Sequence, residues 1–191
     1  QIMSRLSIPP VAFLQIMSEE PRPSSGDWFE LPEITTNALG STPSFISRLF
    51  RSTTTVHEMR LSAAKSVDTE KRPLIYEWRL LQGDPKLVEI LPNDSGDEAT
   101  IRVRWHPPMT AASGIRTHRV DIGLFVRSPL AISAPAIVSF YMLPNEMRFF
   151  DAKGRLSEIC YQAGNPELGL PSDPSDVRWL TFVESATTAT S

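Results

Sequence analysis

The chain has 191 residues, 41% of them hydrophobic and 21% charged, with a formal net charge of −3. That is enough apolar material for one packed domain, with or without an extension, and no disulfide or metal is needed to hold it. The acidic balance sets nucleic acid aside as the main partner, because phosphate binding needs a basic footprint. A single cysteine, Cys160, excludes an internal disulfide and a multi-thiolate metal site.

The 17 prolines against 9 glycines suit loops and strand ends better than long helices. The chain opens on Gln1, which reads as a fragment or a processed product. The apolar run Val11–Leu14 is far shorter than a membrane span and lacks the form of a secretory signal. Residues 1–8 form a lead, and residues 9–17 predict a first strand introduced by Pro9-Pro10. Between Glu19 and Thr55 the pattern dissolves into Ser, Thr, Pro and Gly, broken by Trp28, Phe29 and the pairs Phe45-Ile46 and Leu49-Phe50. This composition predicts a loop-rich insertion at 19–55, with a single helical turn over 44–51.

A two-residue period returns at His57. Met59 and Leu61 alternate with Glu58 and Arg60, and a loop follows through Ser66, Asp68 and Glu70. Over 74–82, Leu74, Tyr76, Trp78 and Leu80 share one face while Glu77 and Arg79 share the other. Residues 86–91 predict a short strand ended by Pro92 and the turn Asn93–Gly96. In 99–105, Ile101, Val103 and Trp105 point inward and Arg102 and Arg104 outward. Strands at 118–126 and 136–143 complete the set, and Ile122 joins the expected core of Tyr76, Trp78, Ile101 and Val103. Short strands at this spacing, each with one apolar face, predict an antiparallel β-sandwich over 9–143.

Residues 144–184 predict an extension. Residues 147–161 read as a hairpin turning at Asp151–Gly154, and Asp173-Pro174 as the start of a short helix running through Trp179 to about Val183. Residues 185–191 form a Ser, Ala and Thr tail.

The segments LSAAKSVDTEKRPLIYEWRLLQGD at 61–84 and RVDIGLFV with SAPAIVSFYMLPNE at 119–146 resemble PKD-type immunoglobulin-like domains. In that family a Ser-x-Asp motif leads through a loop to Tyr-x-Trp on the next strand, matched here by Ser66, Asp68, Tyr76 and Trp78. The usual Asp-Gly step after the aspartate is replaced by Thr69-Glu70-Lys71. The resemblance covers the middle and C-terminal two-thirds. It implies an exported bacterial parent protein, periplasmic or extracellular, with other domains of that chain or surface proteins as partners and no membrane insertion.

Among residues able to carry chemistry, Trp78 reads as core filling, with Trp28 or Trp105 better suited to stacking a sugar if exposed. His57, His106 and His118 lack zinc-ligand spacing. Asp94, Asp97 and Glu98 form a solvated turn or, on a sharper reading, hold calcium. Cys160 reads as a buried structural thiol. No catalytic residue, metal ligand or cofactor is assigned.

The surface feature is basic: Arg102, Arg104 and His106 on one strand, with Arg116, His118 and Arg119 opening the next. Were those strands neighbours, they would form a cationic stripe suited to carboxylate or sulfate. The expected function is a non-catalytic structural, adhesive or protein-interaction module. An accessory domain for acidic polysaccharide is the alternative, and an enzyme the third.

Overall fold

The computed structural model describes residues 8–19, 38–49, 54–110, 114, 116–143, 146–161 and 178–181. The chain divides into two compact units, Gln1–Met142 and Leu143–Ser191. All regular structure among the described residues is β.

Among the described residues, unit 1 holds two main sheets. The first has four strands in the order β1 (Gln15–Glu19), β4 (Val56–Ser62), β7 (Glu98–Arg104), β6 (Val88–Pro92). The second has five, in the order β2 (Ala38–Thr42), β3 (Phe45–Leu49), β11 (Ala136–Tyr141), β10 (Arg119–Arg127), β5 (Ile75–Gln82). A small ribbon pairs β8 (Met109–Thr110) with β9 (Arg116–Thr117).

The alternation that predicted strands has its physical outcome here. Met59, Leu61, Ile101 and Val103 from the first sheet share one core with Val120, Ile122, Leu124, Val126, Val138 and Phe140 from the second. Leu74, Tyr76, Trp78 and Leu80 pack against that core while half-buried, because β5 is the last strand of its sheet. The indole N–H of Trp78 donates to the Gly96 carbonyl at 2.9 Å. Gly96 lies in the turn between β6 and β7, so this bond ties one sheet to the other.

Several expectations are corrected. The first strand begins at Gln15 and carries a bulge between Ile16 and Ser18, while Val11 makes only an isolated bridge to Val67. Residues 38–49 are a hairpin built into the second sheet, with no helical turn over the described part of 44–51. The sandwich is mixed and not wholly antiparallel, since β3 runs parallel to β11.

The period failed at β3 because its inward positions are Ile46 and Arg48. The Arg48 guanidinium is held by Glu19 of β1 at 2.7 Å, so a charged residue occupies a core-side position and bridges the sheets. A parallel partner also lies far along the chain, beyond the reach of any local pattern. Residues 20–37 of the expected insertion lie outside the described residues.

Unit 2 is a three-stranded meander of β12 (Glu146–Phe150), β13 (Leu156–Tyr161) and β14 (Arg178–Thr181). Its hairpin turns at Asp151–Gly154, where Gly154 takes φ +75° and the Asp151 carboxylate accepts from the Lys153 and Arg155 amides. The helix expected through Trp179 is corrected, because Arg178–Thr181 pairs with β13 as a strand. Aromatic and β-branched residues fit a free sheet edge, and that pairing overrides a helix-start signal upstream. Asp173-Pro174 lies outside the described residues.

The Trp78 contact separates into packing and hydrogen bonding. Trp78→Ala should lower stability by about 3 kcal/mol, and Trp78→Phe, which keeps most of the packing, by about 1 kcal/mol. Urea unfolding measures both. Equal losses would mean that the indole body contributes nothing.

Candidate functional site

The arginines expected to form one stripe are divided among three sheets. Arg102 lies exposed on β7 and pairs with Glu58 at 2.7 Å and Glu89 at 3.6 Å, its two cross-strand neighbours. Arg104 is exposed at the end of β7, and Arg116 is exposed on β9. Arg119 opens β10 in the second sheet, where it pairs with Asp121 at 2.9 Å and lies 5.9 Å from the Tyr141 ring centroid. The stripe therefore does not assemble, and acidic neighbours offset the charge of Arg102 and Arg119.

His106 does not face outward. It is fully buried, its Nε2 accepting from the Asp84 amide at 3.1 Å, which leaves Nδ1 to donate to the Arg104 carbonyl at 2.7 Å. Gly83 makes room for it: a Cβ there would come within 3.1 Å of Val120 and 3.5 Å of the His106 Nε2, and Gly83 holds φ +135°. Burial pushes the imidazole pKa down, partly countered by its backbone hydrogen bonds. His57 is buried on β4 and His118 is half-buried.

The loop motif closes on itself. Ser66 Oγ accepts from the Phe13 amide at 3.1 Å. The buried Asp68 carboxylate accepts through Oδ1 from the Glu70 amide at 2.9 Å and from Arg72 Nε at 2.9 Å, and its Oδ2 forms an ion pair with Arg72 Nη2 at 2.8 Å. Arg72 holds its carboxyl below the usual aspartate range. Lys71 takes the positive φ, 53°, of this turn.

The acidic turn likewise works on its own backbone and neighbours. Asp97 accepts from Ser95 Oγ and from Asn93 Nδ2 at 2.9 Å, which lowers its pKa, Ser95 first. Glu98 pairs with Arg60 at 2.6 Å, and Asp94 is exposed. Among the described residues no three His, Cys, Asp or Glu side chains converge to hold a metal. Cys160 is buried in unit 2, and burial pushes its thiol pKa up. Trp105 is half-buried, and Trp28 lies outside the described residues.

An open groove of 870 Å³ runs past Phe13–Ile16, the Ser41–Pro43 turn and Ala64–Val67. Two of its hydroxyls are turned to backbone: Thr42 Oγ1 accepts from the Phe45 amide at 3.0 Å, and Ser66 is used as above.

A further surface is the outer face of the second sheet around β5. Its inward side chains fill the core, and the outward ones are Ile75, Glu77, Arg79 and Leu81. Ile75 is 61% exposed and Leu81 46%. Glu77 accepts from Arg79 at 2.5 Å and from Arg127 of β10 at 2.8 Å, and these hydrogen bonds and charges, Arg79 first, lower its pKa. The Arg79 guanidinium lies 5.6 Å from the Phe125 ring centroid, a cation–π contact. Leu81 folds over Gly123, where a Cβ would meet its Cδ1 at 2.8 Å. The result is a central Glu77–Arg79 pair flanked along β5 by two exposed apolar residues, with Phe125 and Arg127 opposite on β10. The sequence carried part of this signal, since Glu77 and Arg79 alternate with the inward set, while Ile75 and Leu81 on the same outward face stand beside apolar neighbours and so blur the pattern.

No family model and no curated protein matches the sequence. A solved structure that is similar over part of the fold is a nucleoside hydrolase-related hypothetical protein from Saccharophagus degradans associated with carbohydrate metabolism. It shares 17% identity at a TM-score of 0.35, and the match covers 52% of this chain and 22% of that one.

Buried His106 makes stability pH-dependent. Its folded pKa is depressed, so below about pH 6.5 the unfolded chain binds a proton that the folded chain refuses, and stability falls as the pH drops. The difference in stability between the wild type and His106→Gln should shrink as the pH falls from 7.5 toward 5, in urea titrations at matched ionic strength, with about pH 6.5 as the upper edge of the window. A difference independent of pH would contradict a neutral, buried imidazole.

Proposed function

We propose that unit 1 is an immunoglobulin-like sandwich of the PKD kind, serving as a non-catalytic spacer and protein-interaction module of a larger exported protein. The strand order supports the fold reading. Sheets β1-β4-β7-β6 and β2-β3-β11-β10-β5 match the orders A-B-E-D and G-F-C of immunoglobulin domains, with β3 and β2 as strands added beyond G. Tyr76 and Trp78 then lie on the strand equivalent to C, facing the core, as the family motif implies.

The observation that carries the functional reading is the use made of the polar side chains. Asp68, Asp97, His106 and Asp121 each hold a loop, a turn or a neighbouring strand, Asp121 through Ser139 at 2.6 Å and Arg119 at 2.9 Å. Side chains committed to the frame serve stability. The outer face of the second sheet, with its exposed apolar residues and paired charges, offers a surface for contact with a neighbour.

Autonomy and inertness test this together. Residues 1–142 produced alone should unfold in one cooperative transition. The full chain should leave a panel of glycosides, esters and peptides unchanged over a day. Turnover that disappears in a single Asp121→Asn or His106→Gln variant with an unchanged fold would contradict the non-catalytic part. Failure of 1–142 to fold would contradict the module.

A further inference from the structure

Strand β5 ends the second sheet: it pairs with β10 on one side and with no strand on the other among the described residues. Such an edge presents backbone N–H and C=O groups that can take a further strand. Proteins commonly guard edges with charge, and a guard works against self-pairing when the facing charges have the same sign. Here they do not. The outward side chains read apolar, acidic, basic, apolar: Ile75, Glu77, Arg79, Leu81.

That order is complementary to its own reversal. With a two-fold axis at Trp78, antiparallel pairing sets Glu77 opposite Arg79 of a second copy and Ile75 opposite Leu81, each pair occurring twice. On the inner face Tyr76 meets Leu80, and the two Trp78 residues meet each other. Directly opposed residues of an antiparallel pair share a face, so shifts by one residue are closed. A shift by two in one direction places Glu77 on Glu77, and in the other direction Arg79 on Arg79, both repulsive.

We propose that β5 binds β5 of a second copy of this chain in this register, joining the two five-stranded sheets into one. The occupant is chosen by charge complementarity and by the two exposed apolar residues, Ile75 and Leu81, which each bury against the other's counterpart. Arg127 continues to hold Glu77 within each copy while Arg79 reaches the second copy's Glu77. The pairing rests on the interaction-module reading and names one partner for it, yet it fails separately. A chain that never associates overturns the pairing and leaves the module standing.

Sedimentation velocity of the full chain over a concentration series reaching roughly 200 µM reads the outcome. The wild type should form a dimer whose fraction rises with concentration. Arg79→Glu and Glu77→Arg should each weaken self-association on the order of tenfold or more, because facing positions then carry like charges. Mixing the two variants should restore dimers, since two acidic positions on one chain then face two basic ones on the other. Circular dichroism confirms that each variant is folded. Ile75→Asp, at the most exposed of these positions, provides a second disruption should either charge variant fail to fold. A wild type monomeric throughout, an Arg79→Glu variant that associates as tightly as the wild type, or a mixture that stays monomeric would overturn the proposal.

Discussion

The indole of Trp78 sets the frame from which the other features follow. Its ring lies on the inward face of an edge strand, and its N–H reaches the Gly96 carbonyl in a turn of the opposite sheet. A hydrogen bond of this kind is worth about 1 kcal/mol net, but leaving either group buried and unpaired costs more. It therefore penalises displacement of β5 along its neighbour. A slip of one residue would turn Ile75, Glu77, Arg79 and Leu81 into the core and expel Tyr76, Trp78 and Leu80. The register of one strand thus decides both what the core contains and what the surface offers.

Around that strand, polar side chains solve local problems of loop and edge. Asp68 organises the connection from β4 to β5 by accepting from two amides and from Arg72. Arg48 and Glu19 join β3 to β1 across the sandwich. His106 lies beneath Gly83 and satisfies both ring nitrogens with backbone groups. Buried polar groups are costly unless paired, and these pairs fix loop conformations that apolar packing alone leaves open.

The legible part of the fold was the part with a strict period and two-state faces. Met59, Ile101 and Val103 stand in the core because each is an apolar position flanked by polar ones in a strand of ordinary length, and Ile122 lies there between Asp121 and Gly123. The strand β3 was illegible because Arg48 occupies an inward position and because its partner β11 lies nearly a hundred residues away. The strand β14 was illegible because a helix-start signal preceded residues that find an open edge.

The cationic stripe failed for a similar reason. Sequence shows that Arg102 and Arg119 point outward, yet it does not show that their strands belong to different sheets or that Glu58, Glu89 and Asp121 stand beside them. Burial of His106 was hidden too, because it lies two residues past the end of β7, where the strand's alternation no longer applies.

The register of β5 is the claim on which the account turns, and the Trp78 indole proton reports it directly. In solution NMR of the full chain, that proton should exchange slowly with solvent and show a through-space contact to the Gly96 α-protons. It should also lie close to core methyls such as those of Leu124, its cross-strand partner. Rapid exchange, with contacts to solvent-facing side chains such as Phe125 instead, would place β5 in another register and contradict the account.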